Sequence, residues 1–351
     1  MAYTDIDKPS DYFNTKLYSG NSTDDTSITG VGFQPDWLWI KERTNTSGHQ
    51  LQDVVRGATK QLFSHDTQAE ATNTNKVKSF DSDGFTLGTS GSVNVSGDTY
   101  VAWNWKAGGS ASSNSNGSIT SSVSANTDAG FSIVSYTGNG TDGATVGHGL
   151  TSPKLVLIKD RDNATPWLMY GYPNHPAFPN DGSLIKLNES SAMVTDDSST
   201  ELSIGSSTVT FVDAGSAINA NSTKFIMYCF QEKKGYSKFS SFVGNGSNDG
   251  TFCYLGFKPA FVMYKNASDN YTNWQIHDSK RSPYNLSVNR LNPNDNSVEL
   301  GTTADSFDFL SNGFKARATA SNSNTSGSTY IYMAFSEESF VSSTGVPTTA
   351  R

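Results

Sequence analysis

The chain has 351 residues, a formal net charge of -8 and a sequence pI near 5.1. This acidic balance, with no basic cluster, argues against a nucleic-acid partner, because phosphate binding needs concentrated positive charge. The first ten residues lack the apolar core of a secretory signal, and no apolar run approaches the length of a membrane span. We therefore expect a soluble protein that is made in a cytoplasm and is not inserted in a membrane.

The composition favours strands over helices. Only 17% of the residues are charged, while 12% are aromatic, and Ser, Thr, Asn and Gly supply most of the remaining polarity. Ser, Asn and Gly suit turns, whereas Tyr, Phe, Val and Thr suit strands. Lys and Glu, which favour exposed helical surfaces, are scarce. The composition thus predicts a β-rich fold with many turns.

In chain order, the same pattern occurs three times. An aromatic-led string that ends in Gly-Asn occurs at 18–21, 136–139 and 242–245. Each copy is followed, at a matching distance, by an apolar segment with an internal proline. These segments are 32–41, 149–159 and 256–265. Because both landmarks move by the same step from copy to copy, the chain is predicted to contain three tandem modules.

Each module reads as a set of short strands. The Gly-Asn string predicts a turn at positive φ, because both residues tolerate that conformation. A second apolar strand closes each module, preceded by a predicted tight turn. The closing strands are 100–105, 225–230 and 330–335, and the turns are 94–97, 221–223 and 324–327. Asp83-Gly84 and Asn312-Gly313 predict hairpins. The fold prediction is all-β: three tandem antiparallel β-sandwich modules, jelly-roll-like in character.

The predicted organisation has an N-terminal arm, three modules, a linker and a tail. The linker is rich in Gly, Ser and Asn and is expected to be flexible, so that the first module stands apart while the second and third pack together. The two ends read either as frayed termini or as docking arms. The boundaries are 1–12 for the arm, 13–107 for module 1, 108–129 for the linker, 130–235 for module 2, 236–340 for module 3 and 341–351 for the tail.

No motif predicts a cofactor, a metal or a catalytic group. The string 138–143 fits G-x-G-x-x-G, but the residues after it cannot begin the helix that a dinucleotide requires. The histidines lack ligand spacing, and no G-x-S-x-G elbow is present. The two cysteines, Cys229 and Cys253, lie in apolar strand-like contexts and are expected to be buried thiols. The five histidines are His49, His65, His148, His175 and His277.

Two features distinguish the copies. Modules 1 and 3 carry an aligned charged segment, 53–56 and 278–281, in which Asp and Arg are expected to form a local ion pair that anchors a loop. Module 2 instead carries a proline-stiffened aromatic loop. Such a loop suits a subunit interface or saccharide stacking, and the alternative is that its Trp caps its own sheet. The candidate binding residues are Trp167, Tyr170, Tyr172, His175 and Phe178. By contrast, Trp37 and Trp39 align with apolar residues in the other copies and are predicted to be core.

Taken together, the strings at 118–126, 130–140, 235–239 and 329–335 resemble a family of tailed-bacteriophage proteins common in marine phages, described as tail-fibre-like or virion structural proteins. The resemblance spans about Tyr18 to Phe340, and the Trp167 to Phe178 loop departs from it. It implies a virion location and no transferable catalytic residue.

We accordingly expect a non-enzymatic virion component: a tail fibre, a knob or a head-attached appendage that presents its loops for host recognition. Its expected partners are other virion proteins and further copies of itself, with a trimer as the expected oligomer. One alternative is a lectin-like protein that binds a host surface glycan. Another is a polysaccharide depolymerase, which would require two carboxylates converging in a cleft.

Overall fold

The computed structural model describes residues 4–172, 175–213 and 215–347. It is nearly all β and its ladders are antiparallel, which confirms the predicted fold class. The strands up to the end of the first repeat are β1 Phe13–Ser19, β2 Thr26–Thr29, β3 Trp37–Glu42, β4 Gln50–Asp53, β5 Lys60–Gln61, β6 Ala71–Thr72, β7 Val77–Asp81, β8 Gly84–Leu87 and β9 Thr99–Trp105.

The second repeat adds a longer series of strands. They are β10 Ser112–Asn114, β11 Ser121–Asn126, β12 Phe131–Thr137, β13 Ala144–Gly147, β14 Leu155–Asp160, β15 Leu168–Gly171, β16 Leu184–Lys186, β17 Leu202–Ile204, β18 Thr208–Phe211 and β19 Lys224–Phe230.

The third repeat returns to the shorter pattern. Its strands are β20 Ser237–Val243, β21 Phe252–Tyr254, β22 Phe257–Asn266, β23 Gln275–Asp278, β24 Asn289–Arg290, β25 Leu300–Gly301, β26 Phe307–Leu310, β27 Gly313–Ala316 and β28 Thr329–Ser339. Short helical turns are α1 Gly91–Asn94, α2 Ser216–Asn219 and two 3-10 turns, Pro9–Asp11 and Thr303–Asp305.

The sheets repeat the same strand order. The first large sheet runs β1-β9-β3-β4 and the third runs β20-β28-β22-β23, and the second contains the equivalent order β12-β19-β14-β15 within seven strands. Three smaller sheets run β2-β8-β7, β13-β18-β17 and β21-β27-β26. The two predicted hairpins form as β7–β8 and β26–β27. Strand order and register therefore define which residues are equivalent between repeats.

Both faces of each large sheet are buried. Its central strands carry apolar residues at consecutive positions, so apolar side chains point to both faces. One face packs on the small sheet of the same repeat, which gives three separate clusters. The other faces of all three large sheets share one central cluster. Ring centroids there lie 4.7 Å apart for Trp37 and Tyr228, 5.3 Å for Phe13 and Phe335, and 6.3 Å for Phe230 and Phe335. The three repeats therefore enclose a common interior.

This common interior corrects the predicted independence of the first module. The predicted flexible linker, 108–129, contains β10 and β11, and β11 pairs with β12 from Ser121 to Asn126. Ile119 forms a further bridge to Val146. Small polar residues favour flexible linkers, but here their backbone groups complete the second sheet, and Val123 adds a buried apolar side chain.

The two ends of the described chain pack at the junction of repeats 2 and 3 and against each other. Thr4 Oγ1 donates to the carbonyl of Lys234 at 2.8 Å, and Ile6 is buried in the central cluster. Ser343 Oγ donates to Asp7 Oδ2 at 2.5 Å. Of the two interpretations, docking arms describe residues 4–7 and 341–343; residues 1–3 and 348–351 lie outside the described part of the chain.

A buried asparagine fixes the Gly-Asn loop in each repeat. The side-chain oxygens of Asn94, Asn219 and Asn324 accept the backbone N–H of Asn21, Asn139 and Asn245 at 2.9 to 3.0 Å. In the second repeat this asparagine lies two residues before the predicted turn at 221–223, and that turn forms, with the N–H of Thr223 donating to the carbonyl of Ala220 at 3.2 Å. All three clamping asparagines are fully buried. Their amide groups also donate to the carbonyls of Thr23, Thr141 and Ser247 in the same loops.

The glycine of this string serves close packing and not positive φ, which corrects the prediction. A Cβ on Gly20, Gly138 or Gly244 would overlap a backbone carbonyl oxygen of the facing turn. Positive φ occurs two residues after that glycine, at Ser22, Gly140 and Gly246.

Candidate functional site

Four of the five candidate binding residues are buried. Trp167, Tyr170, His175 and Phe178 are at most 3% exposed, and only Tyr172 is partly exposed, beneath the Lys154 ammonium at 3.7 Å from its ring centroid. Tyr170 donates to the carbonyl of Thr200 within the second repeat. These four side chains therefore do not form an exposed aromatic platform. A binding role for the segment stays a prediction, and only Tyr172 has a partly exposed ring.

Trp167 belongs instead to a cyclic set of hydrogen bonds between repeats. Strand register makes Leu51, Met169 and Ile276 equivalent positions. Two residues before them lie His49, Trp167 and Trp274, respectively, which are therefore also equivalent. Each ring nitrogen contacts a carbonyl of the preceding repeat in the cycle. The contacts are His49 Nε2 to Asn292 O at 2.9 Å, Trp167 Nε1 to Phe63 O at 2.8 Å and Trp274 Nε1 to Lys186 O at 2.9 Å. Repeat 1 contacts repeat 3, repeat 2 contacts repeat 1, and repeat 3 contacts repeat 2, so the three repeats have a pseudo-threefold arrangement.

The tautomer of His49 follows from its two partners. Trp39 Nε1 donates to His49 Nδ1 at 2.8 Å, so Nε2 carries the proton that is given to Asn292. Burial lowers the pKa of His49 well below its usual value, and the nearby Lys41 adds to this. The ring is therefore a neutral crosslink.

The first interface, between repeats 1 and 2, contains a buried chain of polar groups. Tyr228 donates to Asp53 Oδ2 at 2.7 Å, and Arg56 Nε donates to the same oxygen at 2.5 Å. Arg56 also reaches Glu70 at 3.4 Å, and Arg161 from repeat 2 holds Glu70 through two bonds of 2.9 and 3.0 Å. The expected Asp/Arg loop anchor is confirmed, and it extends across the interface.

The second interface, between repeats 3 and 1, has the equivalent chain. Trp103 Nε1 donates to Asp278 Oδ2 at 3.0 Å, and Arg281 Nε donates to the same oxygen at 2.5 Å. Arg281 reaches Glu299 at 3.0 Å, and Arg43 from repeat 1 binds Glu299 at 2.7 and 3.0 Å. Trp103 and Tyr228 are equivalent by register, as are Asp278 and Asp53.

The third interface, between repeats 2 and 3, replaces this chain with apolar groups. Gly171 takes the position of the aspartate and Met333 the position of the donor. A Cβ on Gly171 would overlap the ring of Phe178, so the aromatic loop fills the space of the ion pair. Ala267 replaces the second arginine, and its carbonyl accepts the backbone N–H of Met193 at 2.9 Å. Compared with the other two interfaces, the hydrogen-bond donor, the aspartate and the second arginine are therefore all replaced here.

The pKa shifts follow from burial opposed by pairing. Burial disfavours the charge of Arg56, but the neighbouring Asp53, Tyr228 and Glu70 together outweigh it and raise the pKa of Arg56. Burial would raise the pKa of Glu70 and of Glu299, yet the hydrogen bonds from Arg161 and Arg43 and the charges nearby lower both. Each carboxylate is thus held ionised by guanidinium groups on both sides of the interface.

Three fully buried lysines occupy equivalent positions, one per repeat: Lys41, Lys159 and Lys265. We call them the buried lysines. Each ammonium donates to the carbonyl of the following residue, at 2.6, 2.8 and 2.5 Å. Burial lowers the pKa of each from 10.5 to about 8. Lys159 also donates to the carbonyl of Thr67 in repeat 1 at 3.2 Å.

The titratable groups of the interfaces have little access to solvent. The side chains of Asp53, Arg56, Asp278 and Arg281 are completely inaccessible, so their chemistry is crosslinking. Within residues 4–172, 175–213 and 215–347, no three His, Cys, Asp or Glu side chains are placed to hold a metal ion. Both cysteines are free and buried, as expected, and burial raises the pKa of Cys229 to about 12.

Sequence reasoning missed the outer members of the charge chains. Glu70 and Glu299 lie 14 and 18 residues from their arginines, beyond any local spacing rule. A weak signal existed, since Arg43 and Arg161 follow the buried lysines at the same offset, where repeat 3 has Ala267. The clamping asparagines had a clearer signal in their constant distance from the closing strands.

These features define an all-β protein in which three related sheet pairs enclose one interior. The chain belongs to the family described as a domain of unknown function, DUF7483, whose model matches residues 8–339. No curated protein and no solved structure matches the chain. No helix in the described ranges has the length and apolar character needed to cross a membrane.

Proposed function

We propose that the protein is a non-enzymatic structural component of a bacteriophage virion: a tail fibre, a knob or a head-attached appendage. The proposal rests on the phage resemblance of the repeated strings and on what the repeated positions do. Equivalent residues fill interiors, clamp loops or crosslink repeats. Such positions supply rigidity, which a particle component needs outside the cell.

The interlocked interior is the observation that carries the proposal. Each repeat contributes a sheet face to the central cluster, and ring-nitrogen hydrogen bonds join the repeats in a cycle. Because the register places the inter-repeat connections beside Trp105 and Phe230, the Gly-Asn loops lie at the opposite end of the large sheets. A rigid body with loops at one end suits a part that is attached at the other.

Purified particles provide the test. We expect the protein in gradient-purified virions by mass spectrometry, and labelled antibody on the tail or on a head appendage by electron microscopy. Other virion proteins and further copies of the chain are the proposed partners, and the trimer is tested by light scattering on the isolated protein. Abundant protein in infected cells but none in purified particles would overturn the proposal.

A further inference from the structure

An open groove of about 510 Å³ lies between repeats 2 and 3. One wall is formed by Asn188, Glu189 and two serines of repeat 2, and the other by Asn270, Tyr271 and Asn294 of repeat 3. The groove lies beside the third interface, which lacks the charge chain of the other two. Its lining is polar apart from a single aromatic ring.

Tyr271 is an unusual residue for its position. Its side chain is 94% exposed, and its backbone has a φ of 62°, a conformation that bulky side chains rarely adopt. The equivalent loops of the other repeats, 43–48 and 161–166, contain no aromatic residue. Asparagine or glycine would adopt this φ at lower cost. Neither packing nor backbone geometry therefore explains the ring.

The amides around the ring are held in fixed orientations. In three asparagines the side-chain oxygen accepts a backbone N–H: Asn188 from Trp167 at 2.8 Å, Asn294 from Trp274 at 2.9 Å and Asn270 from Ala192 at 2.8 Å. With the oxygens engaged, the NH2 groups are the remaining polar ends. Asn294 donates its NH2 group to Asn273, which leaves those of Asn188 and Asn270 as donors for a ligand.

The two walls are joined by the backbone. The N–H of Thr272 donates to the carbonyl of Ser190 at 3.2 Å, and the N–H of Met193 donates to the carbonyl of Ala267 at 2.9 Å. The donors therefore keep their spacing when a ligand arrives, which lowers the ordering cost of binding. Glu189, paired with Lys186 at 3.2 Å and 36% exposed, adds a carboxylate that can accept hydrogen bonds.

We propose that this groove binds a neutral saccharide, with one pyranose ring stacked on Tyr271. The C–H face of a pyranose matches an exposed aromatic face, while its hydroxyls accept from amide NH2 groups and donate to a carboxylate. The volume falls within the range of about 300–1,000 Å³ of small-molecule sites. A phosphorylated ligand is disfavoured, because Glu189 faces it and the chain is acidic. This site does not depend on the proposed virion location.

Saturation-transfer NMR on the full chain tests the site. The probes are trisaccharides of glucose, galactose, mannose and N-acetylglucosamine, and we expect ring protons of at least one to receive saturation. Tyr271→Asn keeps a residue suited to the positive φ but removes the ring, and should weaken binding at least about tenfold, the equivalent of about 1.4 kcal/mol. Tyr271→Trp should retain binding, and Glu189→Gln should weaken it.

Tyr284→Ala is the matched control, because Tyr284 is 77% exposed and lies outside the groove lining. It should bind as the unmodified protein does. The proposal is overturned if no probe receives saturation, if Tyr271→Asn binds as well as the unmodified chain, or if Tyr284→Ala weakens binding equally. Unchanged melting temperatures will show that the variants are folded.

Discussion

Replacing Asp53 by asparagine should strongly destabilise the protein. The side chains of Asp53 and Arg56 have no solvent exposure, so the substitution leaves a buried guanidinium whose remaining acidic partner among the described residues is Glu70, 3.4 Å away. Breaking a buried pair in this way costs about 3–5 kcal/mol, and the remaining glutamate places the loss near the lower value. With a urea slope of about 3 kcal/mol/M, the unfolding midpoint should fall by about 1 M.

The matched control is Asp24→Asn, which breaks an exposed pair with Lys78 at 3.0 Å and should leave the midpoint nearly unchanged. A third variant, Asp53→Leu/Arg56→Met/Tyr228→Phe, imitates the apolar third interface. It should recover part of the loss. Packed apolar groups can replace a buried ion pair at little cost, but the backbone N–H groups of residues 55 and 56 lose the Asp53 oxygen that accepts them at 3.0 and 2.9 Å. The reasoning fails if Asp53→Asn shifts the midpoint no more than Asp24→Asn does, or if the triple variant is the least stable.

Further predictions concern cooperativity, pH, glycine and thiols. Because the repeats share one interior, calorimetry should show a single unfolding transition, and separate transitions for separate repeats would contradict this. The buried lysines have a pKa of about 8 in the folded state and 10.5 in the unfolded state. Between pH 8 and 9 the unfolded chain therefore holds more protons than the folded chain. The free energy of unfolding should rise over this interval, by about 1 kcal/mol per lysine. The raised pKa values of the two buried thiols act in the opposite direction but are smaller in effect over this interval. A urea midpoint that falls from pH 8 to 9 would contradict this prediction. Gly20→Ala should lower the melting temperature because its Cβ overlaps the carbonyl oxygen of Val95, whereas Gly91→Ala, with only a side-chain atom at 3.5 Å, should not. Cys229 should resist thiol reagents in the native state and react on unfolding.

The sequence predicts the strands and the equivalence of the repeats well, because both depend on local patterns. Trp37 and Trp39 lie in the core as their alignment with apolar residues indicated, and the hairpins form at their Gly turns. The packing of the repeats against one another is not predictable from local patterns, because it depends on what covers each face of a large sheet. Strands that are buried on both faces do not alternate apolar and polar residues, so their sequence does not reveal that a second face is covered.

The burial of four of the five candidate residues was not predictable from the sequence for a related reason. The loop around Trp167 has the composition of a recognition surface, but its rings fill the volume that an ion pair occupies at the other two interfaces. Aromatic content alone does not separate an exposed platform from a buried replacement. Tyr271, in contrast, is one aromatic residue in a polar loop, and its exposure and positive φ appear only in three dimensions.

The apolar third interface also marks one direction around the pseudo-threefold axis. In an assembly of three identical chains every substitution is made at all three contacts at once, so one contact cannot lose its ions while the others keep them. Here the three repeats lie in one polypeptide, so a substitution in one repeat leaves the other two unchanged. The outer surface differs in the same way, because the exposed ring of Tyr271 lies beside the third interface, so a partner that approaches along the axis meets distinguishable sides.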